Sequence, residues 1–93
     1  MQYIEISDAV ALHILSKHNV TLEEVLEVFF NPEEPPCIRR SPRGGNRYVA
    51  QGRTEAGRYL IIAFERKNHE IIEIVTARDM HGRERQWYRK KGK

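Results

Sequence analysis

Cysteine is almost absent. Cys37 stands alone in 93 residues, so no disulfide can form within the chain, which fits a reducing cytoplasm. Its thiol reads as a small hydrophobe beside a loop. Histidine is scarce as well. His13, His18, His69 and His81 include no pair three or four residues apart, the spacing that aligns two metal ligands on one helical face, and this argues against a structural zinc site. No GxxxxGK[ST] or GxGxxG stretch is present, and Gly44-Gly45 is a loop pair rather than a phosphate cradle. No serine or cysteine nucleophile with a nearby base can be read from the spacings. No cofactor is therefore expected. Long apolar runs are missing too: the longest, Leu60 to Phe64, is far too short to span a bilayer. No secretory leader opens the chain. A single domain over residues 1–93, cytoplasmic and without membrane contact, is the expectation.

Positive charge is missing from the first third. Residues 1–36 hold one base, Lys17, against seven acids, a net of −6. The remaining residues hold fifteen bases against six acids, a net of +9. Eleven of the sixteen bases are arginine, whose planar fork grips phosphate or carboxylate with two parallel bonds. A basic half of this kind is the electrostatic footprint of a polyanion binder, although an acidic protein partner or a merely basic surface would also fit. The two halves also complement one another well enough to allow a homodimer.

The hydrophobic pattern changes period along the chain. Tyr3 to Ile6 alternate as a short strand, and Ser7 or Asp8 can cap a helix carrying Val10, Leu12, Ile14 and Leu15, with Asn19 as its left-handed stop. In 21-TLEEVLEVFF-30, Thr21 and Glu24 form a capping box ahead of an apolar face, and Asn31-Pro32 ends the helix. Residues 37–40, 46–53, 58–66 and 70–77 read as strands, joined by turns short enough to make an antiparallel meander. The strand around Leu60–Phe64 is apolar on both faces and belongs in the middle. A last helix is expected from Asp79. The fold class is α+β: an antiparallel sheet with two N-terminal helices and one C-terminal helix.

The C-terminal stretch 76-TARDMHGRERQWYRKKGK-93 carries the chemistry. Glu84 and Tyr88 share a helical face, Trp87 lies beside them, and Arg85 pairs with Arg89 at the same four-residue spacing. RNA can be cut without metal when its own 2′-hydroxyl attacks the adjacent phosphorus. That reaction needs a base, cationic donors for the phosphorane charge and an acid for the leaving oxygen. Aromatic rings can stack on unpaired bases. Plainer readings stand beside these: Glu84 as one half of a surface pair with Arg83 or Lys90, Trp87 and Tyr88 as packing groups, and 89-RKKGK-93 as a solvated end.

Taken in order, 17-KHNVTLEEVLEVFFNP-32, 52-GRTEAGRYLIIAF-64 and 75-VTARDMHGRERQWY-88 resemble the BrnT family of bacterial type II toxins. The closing S/T-A-R strand end with its R-E-R-x-x-Y helix is the most specific part. A lysine-histidine-glycine corner is the second marker, with Asn19 here in place of glycine. The resemblance implies a RelE-like ribonuclease fold, RNA cleavage that blocks translation, and a ribbon-helix-helix antitoxin as partner. Carried over by position, it makes Glu84 the candidate base and Arg58, Arg78 and Arg85 phosphate or transition-state donors. Lys17, His18 and Tyr88 become acid or substrate-positioning groups. Apart from the resemblance, Arg53, Trp87 and Arg89 are candidate RNA contacts by charge and aromatic character. Asp79, Met80 and Gly82 depart from the family pattern, and Asp79 beside Arg78 is expected to neutralise part of the cationic surface. A non-catalytic RNA-binding or protein-interaction module on the same fold is the alternative.

Overall fold

The computed structural model describes residues 3–91, with the side chain of Lys91 left out. Of the basic end 89–93, residues 92 and 93 lie outside the described residues, while Arg89 and Lys90 are exposed. The elements run β1 (Tyr3–Glu5), α1 (Asp8–His18), α2 (Leu22–Phe30), β2 (Cys37–Arg40), β3 (Arg47–Arg53), β4 (Tyr59–Arg66), β5 (Ile71–Asp79) and α3 (Gly82–Lys91). The five strands form one sheet in the order β1-β5-β4-β3-β2. Strands β2 to β5 are the expected antiparallel meander, and β1 adds a parallel edge beside β5. Among the described residues no helix is long and apolar enough to cross a membrane.

Strand alternation sorts the side chains into two faces. From β4 and β5, Leu60, Ile62, Phe64, Ile72, Ile74 and Ala77 join Ala50 of β3 under α1 and α2; Ile14 comes from α1, Val25 and Val28 from α2, and Val20 from the corner between them. These residues are almost completely buried. The doubly apolar β4 is central because its other face, with Ile61 and Ala63, is also half-covered. Gly52 is required by the approach of α2. A Cβ there would lie 2.9 Å from Cγ1 of Val28. In α1 only Ile14 is buried; Leu12 and Leu15 point outwards, 66% and 48% exposed.

The two helices are fixed at their ends as their sequences require. The Ser7 hydroxyl accepts from the amide of Val10 at 3.1 Å. The Thr21–Glu24 capping box is complete, with the Thr21 amide donating to Glu24 at 3.0 Å and the Glu24 amide to the Thr21 hydroxyl at 3.1 Å. Between the helices Asn19 adopts φ 55° and ψ 39°, and its amide returns to the carbonyls of α1. That left-handed conformation explains why glycine suits the corner and why asparagine is an acceptable substitute. Asn19→Gly is therefore expected to leave stability unchanged or raise it by a few tenths of a kcal/mol, whereas Asn19→Val should lower it by about 1–2 kcal/mol. Thermal melting of the two variants checks this.

The last helix starts later than the sequence suggests. Strand β5 runs on to Asp79, and α3 opens at Gly82. Gly82 thus stands at the helix start, where the penalty for an interior glycine does not apply in full. Met80, 7% exposed, is buried at the corner. Helix α3 lies across the face of the sheet opposite α1 and α2. Tyr88, 3% exposed, anchors it there, edge-on to Tyr59 of β4.

Candidate nucleic-acid interface

The sheet face that α3 partly covers is rich in arginine. Arg78 leaves β5 on this face, and Glu84 in the first turn of α3 folds back to meet it. Their contact is bidentate, Nη1 to Oε1 and Nη2 to Oε2, both 2.9 Å. The amide of His81 also donates to Glu84 at 2.7 Å, so the carboxylate caps the helix it belongs to. The Arg78 guanidinium holds the Glu84 carboxyl below the usual carboxylate range, and Glu84 in turn raises Arg78. Glu84 is ionised at neutral pH, and three of its roughly four acceptor sites are engaged, two on Oε1 and one on Oε2.

Beside this pair the sheet forms a depression of about 340 Å³. Val49, Ile61 and Ala63 make an apolar floor, Arg43, Arg47 and Arg78 surround it, and Ser41 and Thr76 add hydroxyls. Arg47 donates to Glu65 at 3.0 Å, yet its Nε is buried with no partner among the described residues. A buried donor left unpaired costs free energy that an incoming acceptor would recover. The arrangement suits an anionic group lying over a flat apolar surface, which is the chemistry of a nucleotide.

The flank under α3 is built from cation–aromatic pairs. The guanidinium of Arg39 lies 4.5 Å from the ring centroid of Trp87 and donates to Gln51 at 2.9 Å. Arg53 and Arg85 lie 4.8 and 4.4 Å from the ring centroid of Tyr59. Gln51 is fully buried, and its amide reaches the Glu84 carbonyl at 3.3 Å, tying β3 to α3. The Tyr88 hydroxyl donates to Glu34 at 2.6 Å. Burial and that carboxylate push the phenol well above its ordinary range, and the bond to Glu34 helps anchor α3.

The expected gathering of arginines around Glu84 takes a different form. Among the described residues Glu84 accepts from Arg78 alone of the arginines. Alternation on β5 sends Arg78 and Asp79 to opposite faces, and Asp79 binds Arg58 on the helix side, at 2.7 and 3.0 Å. Arg58 also reaches Glu24 and the carbonyls of His18 and Asn19. It therefore clamps the α1–α2 corner to the end of β5. Asp79 does not neutralise the Arg78 side, contrary to expectation. Lys17 and His18 sit at that same corner, Lys17 exposed and His18 half-buried. Arg53 pairs with Glu34 at 3.6 Å, and Arg89 is exposed.

Arg39, Arg43, Arg47 and Gln51 were not marked by any motif. The period-two alternation of β3, which places Arg47, Val49 and Gln51 on one face, was the available signal for two of them. Arg43 comes from a loop and carries no such signal.

Glu84 and Asp79 also fix an acid dependence. Both carboxyls are held below their ordinary range by hydrogen bonds from Arg78 and Arg58 respectively. Their ionised forms stabilise the fold fully at neutral pH, and this contribution is lost as the pH falls through the lowered folded-state values, below about pH 4. The stability gap between the natural protein and a Glu84→Gln variant should accordingly shrink between pH 7 and about pH 3, as read from denaturant melts.

An α+β domain with an arginine-lined sheet face under a C-terminal helix is the class that these features define. The family model described as "Ribonuclease toxin, BrnT, of type II toxin-antitoxin system" matches residues 9–84, and the chain belongs to that family. The crystal structure of the Brucella abortus ribonuclease toxin BrnT superposes with a TM-score of 0.70 at 13% identity, covering 87% of this chain and 99% of that one. At that identity the likeness concerns the fold. A comparison with curated proteins gave no match.

Proposed function

We propose that the protein is a metal-independent endoribonuclease toxin that cleaves RNA, blocks translation, and is held at rest by a ribbon-helix-helix antitoxin. The observation that carries this reading is the Arg78–Glu84 pair at the edge of the arginine-rimmed depression. A phosphate entering the depression competes with Glu84 for Arg78. The exchange places the guanidinium on the phosphoryl oxygens and releases carboxylate lone pairs beside the sugar. Glu84 then takes the proton of the 2′-hydroxyl, the oxygen attacks the adjacent phosphorus, and the bond to the 5′-oxygen breaks. Arg43, Arg47 and Arg78 hold the phosphorane charge, and the departing oxygen gains a proton from solvent. The products are a cyclic phosphate and a free 5′-hydroxyl.

The test is incubation of the purified protein with single-stranded RNA in EDTA. Cleavage is expected to persist. Binding should fall about twentyfold between 50 and 200 mM salt if three phosphates are neutralised. RNA binding with that salt dependence but no cleavage would favour the non-catalytic module instead, a reading that the largely occupied lone pairs of Glu84 also support.

A further inference from the structure

A second surface lies on the α2 side of the sheet and has the opposite chemistry. It is an open groove of about 810 Å³ between α2, the segment after it and the β3–β4 turn. Leu26 and Phe30, four residues apart on α2, supply its apolar strip, and Phe30 is 60% exposed. Glu23, Glu27, Glu33 and Glu55 stand along it. Among the described residues none of these four forms an ion pair. Among the described residues Arg53 is the one lining base, and Glu34 already engages it. The groove therefore repels the phosphate backbone that suits the opposite face.

An apolar strip at four-residue spacing between carboxylates is complementary to a helix with the same spacing and the opposite charge. The strip is helix flank rather than sheet edge, so strand addition is not the fitting mode. A second copy of this chain offers a basic helix in α3, but Trp87 and Tyr88 of that helix are already turned towards its own sheet. We infer that this groove docks a basic amphipathic helix of a protein partner. The antitoxin that family membership implies is the protein in which to look for that helix. The groove's charge and shape do not depend on whether RNA is cut, so the two readings can fail separately.

The test uses the isotope-labelled full chain and a synthetic peptide of about four helical turns, with leucine at positions i, i+3, i+4 and i+7 and arginine on the flanks. Saturable amide shifts are expected in α2, residues 31–34 and the β3–β4 turn, with the Arg78 side unmoved. Phe30→Ser, and separately the double variant Glu23→Arg/Glu33→Arg, should each weaken binding at least about tenfold. Both change exposed side chains and leave the core intact. Arg78→Ala should bind as the natural protein does. The proposal is overturned by an absence of saturable shifts, by shifts centred on the arginine depression, or by equal binding of a peptide with glutamate in place of arginine. Light scattering that shows a dimer abolished by Phe30→Ser would overturn it too, because the occupant would then be a second copy.

Discussion

Arg78→Ala is expected to lower RNA cleavage by about 10²- to 10³-fold, the usual cost of removing one positioned donor to a developing negative charge. Thermal stability should change by no more than about 1 kcal/mol, since the pair with Glu84 is partly open to water. Arg78→Lys should recover little of the lost activity, because an ammonium supplies one point charge where the contact with Glu84 uses two parallel bonds. Rate measurements on the three proteins with one RNA, beside their melting curves, separate the cases. Full activity in the alanine variant would remove Arg78 from the reaction.

The second large effect concerns Arg58 and is one of stability. Its guanidinium donates to Asp79, Glu24 and the carbonyls of His18 and Asn19, with its side chain only 25% exposed. Arg58→Ala would leave two carboxylates and two carbonyls at the α1–α2 corner without their common donor. A loss of about 2–3 kcal/mol is expected, which for a chain of this size lowers the melting temperature by roughly 10–20 °C. Below the melting range, cleavage by the folded protein should stay within a few-fold of normal. Unchanged stability with lost cleavage would return Arg58 to the RNA site.

These two arginines illustrate what was and was not legible beforehand. The family resemblance made both of them candidate phosphate donors beside Glu84. What decides between them is the parity of a strand. Arg78 and Asp79 are successive residues of β5, so they point to opposite faces. Extending β5 to Asp79 rather than opening a helix there fixes which residue faces α3. Local signals were more dependable: the Ser7 cap, the left-handed stop at Asn19, the Thr21–Glu24 box and the central β4 all follow from short-range patterns that the tertiary fold respects. The parallel pairing of β1 with β5 joins Tyr3 to Ile71, a contact between distant segments that no local pattern encodes. The same holds for Gly52, whose missing side chain makes room for Val28.

The aromatics of α3 divide in the same way. Trp87 and Tyr88 are adjacent in sequence, yet Tyr88 is buried against Tyr59 and bonded to Glu34, while Trp87 is half-buried against Arg39. Residue type alone marked both as candidates for base stacking. Burial assigns Tyr88 to anchoring the helix and leaves Trp87 nearer to solvent at the flank of the depression.

The most direct measurement is titration of the isotope-labelled protein with a short 2′-O-methyl RNA, which binds but cannot be cut because the attacking hydroxyl is blocked. Amide shifts at Arg43, Arg47, Ala63, Thr76 and Arg78, with α2 silent, are the result expected if the arginine-lined sheet face holds RNA. Shifts confined to α2, or an absence of shifts at low salt, would contradict that claim.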